Sequence, residues 1–169
     1  MFDRDYLLRG KHAQYAQYLR DTAHVFKRHI DIYMIGAIMG FLHGKIVPED
    51  KTTKDDVTIF ADVFIREKSR CGFIYRLLML LDETTDLTLE QRLDRAFRTD
   101  SDEEAVTANM DLFNSYVRGG IEYLFEKFST DCITEDDYIN TVYNIVEQFK
   151  RDIAGHSNED AIQTLTVNG

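Results

Sequence analysis

Eleven consecutive positions, Ile32–Leu42 (IYMIGAIMGFL), carry no polar group except the Tyr33 hydroxyl. Charge brackets the run on both sides, with Lys27, Arg28, His29 and Asp31 before it and His43 and Lys45 after it. A helix that is apolar all round belongs either in a membrane or at the centre of a folded domain. Eleven helical residues rise only about 16 Å, roughly half the hydrocarbon thickness of a bilayer. The membrane reading therefore fails on length, and a buried central helix near 30–43 is expected. Gly36 and Gly40 stand one turn apart on one face of it, where a second helix can approach closely.

Around that helix the chain reads as all-α. Apolar residues recur at three and four, nothing alternates with period two over a useful length, and Pro48 is the single proline. The spacing predicts a first helix over Lys11–Leu19; no Gly or Pro separates it from Thr22–Leu42, so one long helix and two separate ones stand equally open, and Gly44 suits the left-handed residue that ends the second stretch. A second helix is expected from Thr53, with Asp55 and Asp56 in its first turn and Val57, Phe60, Ala61, Phe64 and Ile65 on one face. The pattern then carries past Glu67 to Leu81, with Gly72 as a bend or a close contact. Thr88 and Gln91 match a capping box, and Ser101–Glu104 repeats the device.

The longest regular stretch follows. Val106, Met110, Phe113, Val117, Ile121, Leu124 and Phe128 step by four and three, a near-heptad seam that suits another helix. Gly119-Gly120 interrupts it, which requires a kink or a very close neighbour. Thr134 starts the last helix, carrying Tyr138, Ile139, Val142, Ile145, Val146, Phe149 and Ile153, and Gly155 is expected to stop it. The reading is one domain over 1–155, a bundle of about five to seven helices, with a polar, flexible tail at 156–169.

Charge narrows the function classes. The formal net charge is −10, and such a field repels phosphate, which argues against non-specific nucleic-acid binding. The acid is uneven, however: residues 1–30 hold six Lys and Arg against three Asp. Arg20, His24, Lys27 and Arg28 fall at i, i+4, i+7 and i+8, a basic stripe if the segment is helical, and Lys11 extends it. Tyr15 and Tyr18 lie nearby to stack on bases. The stripe suits phosphates, an acidic protein surface, or solvent.

Catalytic chemistry finds little support. His12, His24, His29 and His43 never take the i, i+4 spacing that aims two imidazoles at one metal, so no metal or cofactor is expected. Cys71 and Cys132 stand in no pairing motif, and Cys71 falls on an apolar stripe, where a small core group is the simpler reading than a nucleophile. The run Asp82-Glu83-Thr84-Thr85-Asp86 after an apolar helix resembles the aspartate-rich, Mg²⁺-holding motif of all-α isoprenoid synthases. The resemblance covers only this stretch, and those enzymes need a second acidic motif and a longer chain.

The expected function is therefore contact rather than catalysis: an accessory, adaptor or regulatory protein whose partner is another protein or a second copy of the chain. Gly36, Gly40, Val106, Met110, Phe113, Val117 and Gly120 are the candidate helix-packing or dimer contacts. A nucleic-acid-binding subunit using Arg20, His24, Lys27 and Arg28 is the alternative, and a Mg²⁺ enzyme using Asp82 and Asp86 a remote one. The opening MFDRDYLLRGK has no apolar signal core, so a cytoplasmic address is expected, with no membrane involvement.

Overall fold

The computed structural model describes residues 1–130 and 132–166, with side chains described as far as residue 152. In chain order the elements are β1 (Tyr6–Arg9), α1 (Lys11–Gln17), a π-helical turn (Tyr18–Thr22), α2 (His29–Leu42), β2 (Asp56–Ile59), α3 (Ala61–Arg66), α4 (Lys68–Leu81), α5 (Leu89–Phe97), α6 (Glu103–Thr130) and α7 (Glu135–Thr166). The fold is mostly helical, with seven α-helices and one two-stranded sheet among the described residues. Contacts divide the chain into two compact units, Met1–Lys127 and Phe128–Gly169. The division falls within α6, whereas the sequence reading placed its only boundary at 155.

In the first unit an aromatic cluster forms the core. Phe2 stacks on Phe64 at 5.8 Å and meets Tyr75 and Phe113 edge-on, each at 6.1 Å, while Tyr33 packs edge-on against Phe64 at 5.2 Å. These residues come from the N-terminus, α2, α3, α4 and α6, so one cluster ties five segments together. Offset and edge-on pairs of this kind add stability beyond their buried area.

The expected central helix is α2, and its glycines set how closely α6 approaches. A Cβ on Gly40 would collide with the Tyr116 carbonyl, and one on Gly120 would collide with the Gly36 carbonyl. The two backbones cross in contact. On α6, Phe113, Val117, Ile121 and Leu124 are buried, as the seam predicts, while Val106 and Met110 toward its start are half-buried. The helix continues unbroken through Gly119-Gly120, so the pair marks close approach and not a kink.

Two expectations about elements are corrected, and the open point between the first helix and α2 is settled. The first helix does not run into α2: after the π-helical turn the backbone leaves helical geometry, and His24 takes φ +52°. The helix expected from Thr53 starts only at Ala61, because Asp56–Ile59 is instead a strand paired antiparallel with Tyr6–Arg9. Val57 and Ile59 point to the core and Asp56 and Thr58 away from it. Four residues are too few for period two to stand out, and the same apolar positions also fit a helical stripe. Asp5, 56 residues away, fixes the new start by accepting the Ala61 amide at 2.7 Å. Finally, α3 and α4 are separate helices broken at Glu67, and Gly72 lies in open space inside α4.

Capping follows the sequence closely. Thr88 and Gln91 form the complete capping box of α5, and Gly44 takes φ +59° after α2. At α6 the cap is Asp102, not Ser101, its carboxylate accepting the Glu104 and Ala105 amides at 3.1 Å each. In the second unit Thr134 and Asp137 cap one another's amides at the start of α7. That helix passes through Gly155, expected as its stop, to Thr166. A lone helical glycine costs only about 1 kcal/mol, and no proline follows to enforce an end. The expected looseness of 156–169 falls outside the described side chains.

Candidate interaction surface

Helix α4 positions the site. Cys71, Tyr75, Leu78 and Met79, at i, i+4, i+7 and i+8, turn into the core. That leaves Phe73, Leu77 and Leu81, at i, i+4 and i+8, facing outward; Phe73 is 69% exposed and Leu81 48%. Helix α2 is not covered all round either: Ile35 is 38% exposed and Leu42 40%. Between the two helices runs an open groove of about 600 Å³, lined by Asp31, Met34, Ile35, Ser69, Arg70, Phe73 and Ile74. The apolar surface recurs on α5, where Leu89, Leu93 and Phe97 lie exposed on one face. Contiguous apolar area of this kind marks a contact site more often than chance exposure does.

The groove has a polar rim. Asp31 and Arg70 are the charged residues of its lining, and Arg28 links them through Glu67: it donates to Asp31 at 2.6 Å and to Glu67 at 2.7 Å, and Arg70 adds a 3.3 Å bond to Glu67. The rim thus joins the first turn of α2 to the α3–α4 junction. It surrounds an apolar floor, the arrangement usual at interfaces.

The structure does not assemble the basic stripe. Arg20 lies in the π-helical turn, chelated by Asp21 at 2.6 and 2.8 Å and contacting Nδ1 of His29 at 3.2 Å. His24 and Lys27 are exposed in the following loop, and Arg28 belongs to the groove rim. Lys11 pairs with Glu122 at 2.7 Å. With 23–28 outside any helix, the four residues share no helical face. The first of them to matter at the groove is Arg28, through carboxylates of this chain.

The acidic run divides as well. Asp82 is fully buried and bound by Arg95 at 3.0 Å, by the Tyr116 hydroxyl and by Thr84 at 2.8 Å. Arg95 also donates to the carbonyls of Met79 and Asp82 and to the Thr85 hydroxyl. Burial raises the Asp82 carboxyl, but the bonds from Tyr116, Thr84 and Arg95 outweigh it and hold the group below its ordinary value. Asp86 stays exposed. A carboxylate so enclosed closes α4 onto α5 and α6 and has no lone pair turned to solvent for a cation.

Cys71 is equally committed to the core: burial, with the Glu67 charge nearby, pushes its thiol up to about 11, so it stays protonated at neutral pH. Among the described residues no three His, Cys, Asp or Glu side chains converge as metal ligands. No described helix is long and apolar enough to cross a membrane.

Gly36, Gly40, Phe113, Val117 and Gly120 all meet inside the first unit, at the crossing of α2 with α6. The residues that sequence reasoning missed are Ile35, Phe73 and Leu77. Their signal was present as an excess: α2 and α4 each carry more apolar positions than one buried face of a helix can hold.

No protein-family model matches the chain, and comparison with curated proteins and with solved structures finds no match.

Proposed function

We propose that this protein is a non-catalytic adaptor or accessory subunit that works by protein–protein contact, with the groove between α2 and α4 as a docking surface. One observation carries the reading. The most apolar helix of the chain, α2, stands at the core yet leaves Ile35 in the wall of an open groove shared with Phe73 of α4, with Leu42 also uncovered. Leaving large apolar side chains in water forgoes about 1.5–3 kcal/mol each relative to full burial, which a partner's side chains recover. The polar rim of Arg28, Asp31, Glu67 and Arg70 supplies orientation.

The enclosure of Asp82 and the raised Cys71 thiol support a contact role over catalysis, because the two side chains best suited to chemistry are spent on the core. The partner is another protein or a second copy of the chain.

The test is capture from the native cell extract, with nuclease and raised salt, comparing the wild type with Phe73→Asp/Leu77→Asp. Both positions are exposed, so the variant should melt as the wild type does. A protein partner retained by the wild type and lost by the variant is the expected result. Equal capture by both would exclude the groove, and capture abolished by nuclease would favour nucleic acid instead.

A further inference from the structure

Helix α7 in the second unit carries a second uncovered apolar face, and its register selects an occupant. Ile139, Val142, Val146 and Phe149 step by three, four and three, the a and d positions of two heptads. Ile139 is 60% exposed, Val142 and Val146 are exposed, and Phe149 is half-buried. Beside this seam, on the e edge, lie Asp136, Tyr143 and Lys150, one heptad apart.

We propose that α7 pairs antiparallel with α7 of a second copy of this chain, about a two-fold axis near residues 143–145. The argument is one of charge and register. In an antiparallel pair a layers meet d layers, so Ile139 faces Phe149 of the other copy and Val142 faces Val146, and the four layers over 139–149 are all apolar. The same register sets e against e. Asp136 then opposes Lys150 of the other copy, twice over by symmetry, and Tyr143 meets its own counterpart on the axis. A parallel pair sets e against g, which places Lys150 against Ile145 and gives it no acid. Among the described residues Lys150 bonds Glu147, at 2.7 Å along its own helix, and that contact is readily exchanged. Antiparallel packing also sets the acidic first turn of each helix, Glu135–Asp137, near Lys150 and Arg151 of the other.

The proposal rests on the contact reading above only in its self-association limb, and it uses a different surface. The test is sedimentation equilibrium of the full chain at low salt. The wild type should sediment at twice the chain mass, and Val142→Glu/Val146→Glu as the monomer. Lys150→Asp alone and Asp136→Lys alone should each weaken the dimer about tenfold, because two attractions become two repulsions. Asp136→Lys combined with Lys150→Asp should restore it. These positions are exposed, and helix content by circular dichroism checks that each variant is folded. A monomeric wild type at high concentration, a dimer that survives Val142→Glu/Val146→Glu, or single reversals that the swap does not rescue would each overturn the pairing. A monomer that still captures a partner through Phe73 would leave the adaptor reading standing, so the two failures are separable.

Discussion

Asp82 shows how far the role of one carboxylate depends on what surrounds it. In the sequence it opens an acidic run; in the structure it is a buried anion held by Arg95, Tyr116 and Thr84. Removing one partner of such a pair leaves the other charge buried and unpaired, which typically costs about 3–5 kcal/mol. Asp82→Asn is therefore expected to lower stability by roughly that amount, and Asp86→Asn to leave it unchanged, in urea unfolding followed by circular dichroism. Equal, small effects would mean that the Asp82 network contributes nothing. The same consideration separates the basic residues. Arg20 and Arg28 are occupied by Asp21, Asp31 and Glu67; the first two are local in sequence, whereas a one-dimensional spacing rule has no means of seeing Glu67, 39 positions away.

Among the elements, the α2–α6 crossing is the sharpest case of sequence and geometry agreeing. Gly36, Gly40 and Gly120 are needed because backbone meets backbone there. Gly40→Ala gains intrinsic helix propensity yet has no room for its methyl against the Tyr116 carbonyl. We expect a net loss of about 3 kcal/mol or more, read as a fall in melting temperature; a neutral or stabilising result would refute the close crossing. Helices α4, α5 and α6 were legible because periodicity and caps are local signals. Strands β1 and β2 were not, since each is four residues long and each acquires its meaning from the other, some 50 positions away. The break between α1 and α2 was hidden for a related reason. It lacks glycine and proline, and His24 adopts a left-handed backbone that its own sequence does not announce.

For the molecule as a whole, acid is the informative variable. Burial holds His12 below its ordinary value despite the raising effect of Glu122, and burial together with Arg20 does the same for His29. Both are favoured neutral in the native state, so the unfolded chain binds more protons, and stability falls as pH drops below about 6.5. Asp82 adds a second loss lower down: its contribution is complete above the unfolded carboxyl value of about 3.9 and disappears as pH falls through its depressed native value. Urea midpoints at about pH 7.5, 5.5 and 3.5 should decline at both steps, with His12→Gln/His29→Gln flattening the first; a midpoint independent of pH would contradict both. By itself the sequence determined a helical fold, its central helix, its principal caps and the glycines of its tightest crossing. These follow from local periodicity and from side chains acting within a turn of their own backbone. The tertiary structure alone decided the strand pairing, the burial of Asp82 and the dispersal of the basic residues. It also decided that α2, apolar on every side, keeps one side open across from Phe73. Each of those depends on which distant segments arrive to cover a surface, and hydrophobicity read along a chain records how much must be covered but not what covers it.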